Sequence, residues 1–246
     1  MIKYKNFGIV GGDMRHIFLS ESIAKDENSV KIFANSSTAS NQENFTDKLE
    51  NAIKTSDYVI LPLPVTYDGE TLNAPFSKSQ IKLYDLMREL TDKTVFCGGI
   101  NSLSPLIPEN TNIKLKDYYA REEFQILNAL ATAEGAINIA LSEFLGTIHS
   151  SRCLIVGYGR IGKVLSKILK DMGANVTVSA RKPSDLAWIE VMGYESINTN
   201  NMPQKLDYDL IFNTVPFKIF NRENLLKCSY ETKIIDLSSK PGGVDF

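Results

Sequence analysis

Three glycines in the second half of the chain constrain the fold more than any other feature. Gly157, Gly159 and Gly162 have the spacing G-x-G-x-x-G and directly follow the apolar segment 153–156. Residues 161–169 then place apolar side chains on one helical face. In such a strand–turn–helix unit, the first glycine permits the tight turn, the second lets the backbone approach a pyrophosphate, and the third lets the helix pack on the strand. The segment therefore predicts a dinucleotide-binding unit on a parallel sheet.

Further cofactor contacts are expected where other strands of the same sheet end, because ligands bind beyond the carboxyl ends of parallel strands. Segments 213–216 and 238–240 follow apolar strands, so they are predicted to line the nicotinamide pocket, although ordinary turn chemistry also explains them. The full set of predicted cofactor-binding residues is Gly157, Tyr158, Gly159, Arg160, Ile161, Gly162, Ser179, Arg181, Lys182, Asn213, Thr214, Val215, Pro216 and Ser238.

The segment about 20 residues after the first glycine indicates which dinucleotide is bound. An NAD site usually has a carboxylate there, whereas the sequence has Ser179, Arg181 and Lys182 and no carboxylate between residues 178 and 182. Basic and hydroxyl groups would hydrogen-bond to and neutralise a 2′-phosphate. We therefore expect NADP rather than NAD. In the alternative, Arg181 and Lys182 are a solvated loop and NAD binds through other contacts.

Strand and helix patterns alternate along both halves of the chain. The first half has apolar strands at 7–10, 30–33, 57–62 and 94–97 with a further candidate at 113–115, and helical patterns at 14–24, 45–53 and 80–90. The second half supplies about five strand candidates, including 208–213 and 232–237. This alternation predicts an α/β protein with two doubly wound parallel-sheet, Rossmann-like domains. The expected domains are a Rossmann- or flavodoxin-like substrate domain at 1–119, an interdomain helix and hinge at 120–149, and an NADP-binding domain at 150–246.

A long helical pattern at 120–144 joins the two halves. Its apolar residues recur at steps of three and four, at Ile126, Leu130, Ala133, Ile137, Leu141 and Phe144. At ~1.5 Å per residue, such a helix exceeds 30 Å and is long enough to connect two domains. It is expected to be a core helix, a spacer with an active-site face, or both.

The glycine turn of the first half is predicted to bind substrate rather than cofactor. Gly11 and Gly12 lack the third glycine of the phosphate fingerprint, and the turn presents Asp13 and Arg15. By the carboxyl-end rule these side chains are expected to face the cleft between domains. Arg15 suits a substrate carboxylate through bidentate hydrogen bonds, and the alternative is a surface ion pair.

Composition excludes several classes of function. Lys plus Arg is 27 and Asp plus Glu is 29, so the net charge of −2 argues against a strongly basic nucleic-acid binder. The sequence has neither an apolar run of ~18 residues nor the apolar core of a signal peptide, so we expect a cytoplasmic protein without a membrane role. Cys97, Cys153 and Cys228 form no CxxC pair and no zinc spacing, which predicts inert thiols and no metal site.

Five motifs in order give the chain a family resemblance that spans nearly its whole length. They are Gly11-Gly12-Asp13-Met14-Arg15, Thr132-Ala133-Glu134-Gly135, the turn 157–162, Ala180-Arg181, and the segment 236–243 with the sequence DLSSKPGG. Together they resemble the A subunit of bacterial dipicolinate synthase. The first and last motifs are much more particular than the glycine fingerprint, which many dehydrogenases share.

The resemblance implies a reaction and a partner. Dipicolinate synthase makes pyridine-2,6-dicarboxylate in the mother cell of sporulating bacteria, from dihydrodipicolinate or its hydrated precursor. The A subunit works with a flavoprotein-like B subunit, and its fold resembles that of D-2-hydroxyacid dehydrogenases. The chain departs from the family at Ala131, where proline is usual, and at Phe246, where the family continues. We therefore expect the second domain to be incomplete at its C-terminus, with part of the active-site wall absent.

The same resemblance suggests roles for individual residues. Arg15 and Arg121 would hold the two substrate carboxylates, and Asp13 and Thr132 complete the expected substrate-binding set. Glu134 would act as base if burial raises its pKa, and Lys240 would orient the substrate or the carboxamide. The alternative for Glu134 is a helix-face or capping residue. Two other functions stay open: an NADP-dependent reductase of another small hydroxy or keto acid, and a non-catalytic binding subunit of a complex, with further oligomerisation possible.

Overall fold

The computed structural model describes residues 4–34, 44–109, 111–239 and 241–245, and of Ser102 only the backbone. The chain divides into two compact units, Met1–Phe124 and Gln125–Phe246. Each unit is a parallel α/β sheet with its own hydrophobic cores.

Unit 1 contains a six-stranded parallel sheet. Its strands are β1 (Asn6–Val10), β2 (Ser29–Phe33), β3 (Phe45–Thr46), β4 (Tyr58–Ile60), β5 (Thr94–Cys97) and β6 (Lys114–Asp117), and its helices are α1 (Met14–Lys25), α2 (Leu49–Ile53) and α3 (Leu83–Glu89). The strand order is β3-β2-β1-β4-β5-β6. This is the order of the doubly wound dinucleotide fold. The carboxyl ends of β1 and β4 therefore lie side by side in unit 1.

Unit 2 repeats that topology with five strands. Its elements are α4 (Glu122–Glu143, which begins in unit 1), β7 (Arg152–Val156), α5 (Arg160–Asp171), β8 (Asn175–Ala180), α6 (Pro183–Val191), β9 (Glu195–Asn198), β10 (Leu210–Asn213), α7 (Arg222–Leu225) and β11 (Lys233–Asp236). The strand order is β11-β10-β7-β8-β9, and every pairing is parallel. The predicted pair of doubly wound parallel sheets is thus confirmed.

The central strand β7 shows why this sequence forms a sheet covered on both faces. Its residues 153–156 are completely buried, as expected of parallel strands with packing on both sides. Cys153 and Ile155 join the core beneath α5, whereas Leu154 and Val156 join a second core on the opposite face. The alternation of side chains along a strand distributes a continuous apolar run between two cores.

Two predicted helical patterns differ from the structure. The pattern at 45–53 begins as the short edge strand Phe45–Thr46, and only Leu49–Ile53 is helical. In α4, the predicted stripe is wrong at Ile126, Leu130 and Leu141, which are exposed. The buried face instead consists of Ala129, Ala133, Ala136, Ile137 and Ala140. The predicted members Ala133 and Ile137 do lie on this face, and Phe144 packs against the same core, so the spacing identified the helix and part of its buried face.

Helix α4 is also, by length and composition alone, capable of crossing a membrane. Four residues of its buried face, Ala133, Ala136, Ile137 and Ala140, pack in the core of unit 2. A long core helix meets the same criteria. We therefore treat α4 as a core helix.

Candidate functional site

A cleft of ≈ 500 Å³ lies in unit 2 at the carboxyl ends of the strands. Its walls come from the glycine turn, from the segments that follow β8, β9 and β10, and from the first turn of α6. The lining residues are Gly157, Tyr158, Gly159, Ala180, Arg181, Lys182, Asp185, Thr199, Asn200, Thr214, Val215, Pro216, Phe217, Lys218, Ile219, Asn221 and Asn224. This is the location at which doubly wound sheets bind dinucleotides.

The three glycines differ in what surrounds them. Gly157 has φ +102°, and a β-carbon there would lie 2.5 Å from Thr214 Oγ1. A β-carbon on Gly162 would collide with the carbonyl oxygen of Gly157, so the third glycine is needed for helix-to-turn packing. A β-carbon on Gly159 would meet nothing within 4 Å. The second glycine thus borders open space at the N-terminus of α5, where backbone N–H groups and the helix dipole favour a phosphate.

The wall formed by β8 and β9 contains two of the three residues predicted to bind the 2′-phosphate. Arg181 and Lys182 line the cleft. Ser179 does not: its side chain is buried, and its hydroxyl accepts a hydrogen bond from Thr199 Oγ1 at 3.1 Å. Thr199 and Asn200 line the cleft instead. These two residues were not predicted, although the carboxyl-end rule applied to β9 would have indicated them.

The wall after β10 contains Thr214, Val215 and Pro216, as predicted. Asn213 is completely buried and lies behind this wall. The segment then continues through Phe217, Lys218 and Ile219 to Asn221 and Asn224, which were not predicted. The signal for these five residues was only their proximity in sequence to Pro216.

Four further predicted cofactor residues lie near the cleft without lining it. Arg160 and Ile161 form the first turn of α5, and Gly162 packs beneath the glycine turn. Ser238 donates its hydroxyl hydrogen to Asp236 Oδ1 at 2.7 Å. The structure therefore gives Gly162 and Ser238 local packing and hydrogen-bonding roles.

Charges in the cleft are mixed in sign. Arg181 and Lys182 share it with Asp185, which belongs to the first turn of α6. Burial raises the pKa of the Tyr158 hydroxyl, and the Lys163 ammonium lies 5.4 Å from the centroid of the same ring. Burial therefore favours a neutral tyrosine beside the glycine turn.

The glycine turn of unit 1 holds its two polar residues in one rigid pair. Asp13 caps α1 and accepts a hydrogen bond from the Arg15 backbone N–H at 3.0 Å. The guanidinium of Arg15 binds the same carboxylate in bidentate fashion, with Nε–Oδ1 at 2.9 Å and Nη2–Oδ2 at 2.8 Å. Nη2 also donates to the carbonyl oxygen of Leu63 at 2.8 Å. The hydrogen bonds from Arg15 hold the pKa of Asp13 below its usual range.

The geometry is compatible with both interpretations of Arg15, as a surface ion pair and as a residue that binds a substrate carboxylate. The ion pair exists, yet the Arg15 side chain is 57% exposed at the carboxyl end of β1. Asp13 and the Leu63 carbonyl fix the guanidinium in place, which would reduce the entropy lost on binding an anion. His16 is committed elsewhere: it is buried, and its Nδ1 accepts the Asp13 backbone N–H at 3.3 Å. Burial lowers the pKa of its imidazole.

The other predicted substrate and catalytic residues lie on or next to α4. Arg121 pairs with Glu123 at 2.6 Å, and both side chains are more than half exposed. The Thr132 hydroxyl donates to the carbonyl oxygen of Asn128 at 2.9 Å. Glu134 is exposed, so the burial on which its role as a base was conditional is absent. Lys240 lies outside the described residues.

The three cysteines, which were predicted to be inert, are wholly or partly buried. Cys97 and Cys153 are buried, and burial raises their pKa to about 12 and about 11, respectively. Burial also raises the pKa of the partly buried Cys228. Within the described part of the chain, no group of three or more His, Cys, Asp or Glu residues is placed to hold a metal ion.

Comparison with known proteins agrees with this architecture. Residues 6–119 match the family model for the N-terminal domain of the dipicolinate synthase A subunit. The dipicolinate synthase A subunit of Bacillus subtilis (strain 168) is 28% identical over an alignment that covers 100% of this chain and 84% of that protein. The crystal structure of the dipicolinate synthase A subunit from Bacillus halodurans has a TM-score of 0.85 at 27% identity, covering 100% of this chain and 86% of that one.

A more distant match shares the fold alone. The D-lactate dehydrogenase of Salmonella has a TM-score of 0.57 at 15% identity, covering 98% of this chain and 72% of that chain. The full-length sequence match, the full-length structural match and the N-terminal family model all identify the same group of proteins. The chain is therefore similar over its whole length to dipicolinate synthase A subunits, and its residues 6–119 match the family model for their N-terminal domain.

Proposed function

We propose that this protein oxidises dihydrodipicolinate, or its hydrated precursor after loss of water, to dipicolinate with NADP as the oxidant. The observation that carries the proposal is the space beside Gly159, at the N-terminus of α5 and in the same cleft as Arg181 and Lys182. A pyrophosphate fits that space, and the two basic residues fit a 2′-phosphate.

The cofactor preference rests on the chemistry of the wall after β8. The cleft presents Arg181 and Lys182, with Thr199 and Asn200 beside them from the end of β9. Guanidinium, ammonium, hydroxyl and amide groups all donate hydrogen bonds to phosphate oxygens. Asp185 is the one carboxylate among the lining residues, and it belongs to a helix rather than to the end of β8. This arrangement supports NADP over NAD.

Substrate recognition is assigned to Arg15 in unit 1. The proposed substrate is a dicarboxylate, and the Arg15 guanidinium would bind one of its carboxylates through Nη1, because the hydrogens of Nε and Nη2 are donated to Asp13 and to the Leu63 carbonyl. Asp13 and the Leu63 carbonyl already orient the Arg15 side chain through Nε and Nη2. When bound, NADP would supply the hydride acceptor for the dihydropyridine ring, and the ring would also lose a proton as it becomes aromatic. Positioning is then the main demand on the protein.

We assign no buried carboxylate to the removal of the proton. Glu134 is exposed on α4, and His16 is engaged by the Asp13 backbone. We propose that the proton leaves to water or to Glu134, and that Lys240 orients the substrate or carboxamide. In accordance with the family, we place the reaction in the cytoplasm of a sporulating mother cell, with the flavoprotein-like B subunit of dipicolinate synthase as partner.

The proposal is tested by following NADP reduction with freshly generated dihydrodipicolinate, with and without the B subunit. Formation of dipicolinate and NADPH in equal amounts is the expected result. Arg181→Ala is expected to reduce the affinity for NADP at least about tenfold more than the affinity for NAD, because a guanidinium–phosphate contact contributes about 1.5–3 kcal/mol. Arg152→Ala is the matched control, because its exposed ion pairs lie at the amino end of β7, away from the cleft. Equal effects of Arg181→Ala on both dinucleotides would discard the assignment of NADP.

The role of Arg15 is tested separately. Arg15→Ala is expected to raise the KM for dihydrodipicolinate by about tenfold or more while NADP affinity stays constant, because a charged hydrogen-bond donor is lost. Arg88→Ala, on the exposed face of α3, is the control. An unchanged KM would leave Arg15 as a structural partner of Asp13.

A second candidate is a non-catalytic protein that binds NADP and substrate for chemistry on the partner. The observation in its favour is that the one carboxylate proposed as base, Glu134, is exposed in the structure. Turnover by the isolated chain would exclude this candidate. Binding of both ligands without turnover, followed by turnover when the B subunit is added, would support it.

A further inference from the structure

A polar cluster behind the cleft joins the ends of β10 and β11. Asp236, the last residue of β11, accepts hydrogen bonds from the Asn213 side chain at 2.9 Å and from the Ser238 hydroxyl at 2.7 Å. It also accepts the backbone N–H groups of Ser238 at 3.1 Å and Gly243 at 2.8 Å. Both carboxylate oxygens are used, and all four partners are donors.

The donor set requires a carboxylate rather than an amide. Asn213 and both Ser238 groups point at Oδ1, whereas Gly243 points at Oδ2. An asparagine at 236 would direct its NH₂ group at donors on one side or the other, whichever way it turned. Burial raises the pKa of Asp236, but these hydrogen bonds outweigh burial and hold that pKa below its usual range.

Asn213 connects Asp236 to the cleft wall through hydrogen bonds. Its side chain is completely buried, and its Nδ2 also donates to the carbonyl oxygen of Val215 at 3.0 Å. Its Oδ1 accepts the Val215 N–H at 3.3 Å. Val215 lines the cleft and touches the glycine turn: a β-carbon on Gly157 would lie 2.8 Å from Val215 Cγ2. The path from Asp236 to the glycine turn therefore runs through two residues, Asn213 and Val215.

Gly243 closes the cluster from the other side. A β-carbon there would collide with Asn213 Nδ2 and would lie 2.8 Å from the Val215 carbonyl oxygen. The segment 241–245 continues against Phe220, whose carbonyl oxygen accepts the Asp245 N–H at 2.9 Å. One carboxylate thus ties the wall after β10 to the loop after β11.

We propose that Asp236 is a positioning residue for the nicotinamide half of the cofactor, acting through Asn213 on the backbone of Val215. The inference rests on the proposed function. In a doubly wound sheet, one half of the dinucleotide lies over each half of the sheet. The adenosine half is assigned to β8 and β9, so disturbance of β10 and β11 selectively affects the nicotinamide half.

The experiment compares two probes on the full chain by calorimetry: NADPH, and 2′-phospho-ADP-ribose, which lacks nicotinamide. Asp236→Asn is expected to reduce the affinity for NADPH by about tenfold, as for the loss of a charged hydrogen bond. The affinity for 2′-phospho-ADP-ribose is expected to fall by less than about threefold. Asp207→Asn is the isosteric control, because Asp207 is an exposed partner of Arg152. Loss of stability alone would reduce the active fraction without changing the ratio of the two affinities.

A double-mutant cycle tests the path. Asn213→Ala is expected to shift the same ratio, and Asp236→Asn on top of it should add little, because both changes break one connected network. If Asp236→Asn does not fold, Ser238→Ala removes a single donor and is expected to shift the ratio about threefold.

Each outcome decides between the two proposals. An unchanged ratio in folded Asp236→Asn, or in Ser238→Ala where only that variant folds, overturns the inference alone when the wild type binds both probes. Additive effects in the double variant also overturn it. If the wild type binds neither probe, the proposed function and the inference are overturned together.

Discussion

Replacing Gly159 by alanine is expected to separate cofactor binding from folding in unit 2. The residue is the N-cap of α5, with φ −80° and ψ −164°, a conformation that alanine also adopts. Alanine at an N-cap costs about 0.5–1 kcal/mol relative to glycine. The lower entropy of the unfolded chain returns about 0.4–1 kcal/mol. The free energy of unfolding should therefore change by less than about 0.5 kcal/mol.

The effect of Gly159→Ala on the affinity for NADPH should be much larger than its effect on stability. The alanine methyl group would enter the open space beside the helix N-terminus, where no atom outside the immediate chain neighbours lies within 4 Å. A displaced pyrophosphate loses at least one hydrogen bond from a backbone N–H, which is about 1.5–3 kcal/mol for a charged acceptor. This corresponds to about a ten- to hundredfold loss of affinity. Calorimetry measures the affinity, and urea unfolding followed by Trp188 fluorescence measures the stability of unit 2.

Two other glycines provide contrasting controls. Gly162→Ala should lose stability and affinity together, because its β-carbon meets the carbonyl oxygen of Gly157 and overpacking costs about 1–3 kcal/mol. Gly193→Ala should lose about 1 kcal/mol of stability at unchanged affinity, because φ is +77° and the residue lies outside the cleft lining. Wild-type NADPH affinity in a folded Gly159→Ala variant would refute the position assigned to the pyrophosphate.

The remaining predictions concern acid stability and thiol reactivity. The pKa of Asp13 is depressed in the folded state by Arg15, so its pair contributes stability above the unfolded pKa of about 4 and loses it as pH falls through the folded value. The stability difference between wild type and Asp13→Asn should accordingly shrink between neutral and acidic pH, as measured by urea unfolding; a constant difference would contradict the assignment. Native protein pulsed with N-ethylmaleimide should show slow labelling at Cys228 alone by mass spectrometry, because burial raises the pKa of Cys97 and Cys153. Rapid native labelling of either buried thiol would contradict the packing described above.

The cofactor cleft was predictable where residues follow a motif directly and not where they come from a neighbouring strand. Gly157, Gly159 and Arg181 are positioned by local chain geometry, and the structure places all three in the cleft. Thr199 was missed because β9 has a mixed burial pattern and gives a weak signal. Ser179 was predicted to bind phosphate, but strand alternation turns its side chain into the interior.

The long helix shows a second limit. The spacing of its apolar residues indicated its length, and the observed Glu122–Glu143 lies within two residues of the predicted 120–144. The spacing placed Ala133 and Ile137 correctly on the buried face but wrongly added Ile126, Leu130 and Leu141, because close packing against the core favours small residues. The core against which α4 packs therefore decides which of its residues are buried.

The sequence alone determined the class of fold, because alternating strands and helices with a glycine fingerprint have few other solutions. Motifs at both ends of the chain also predicted its similarity to dipicolinate synthase A subunits, which the comparisons confirm. Only the tertiary structure decided which polar residues share a site. Arg15 binds its own neighbour Asp13, and the buried Asn213 side chain donates hydrogen bonds to Val215 and Asp236. The physical reason is that hydrogen-bond partners are chosen by position in space, and residues 213 and 236 become neighbours only when β10 pairs with β11.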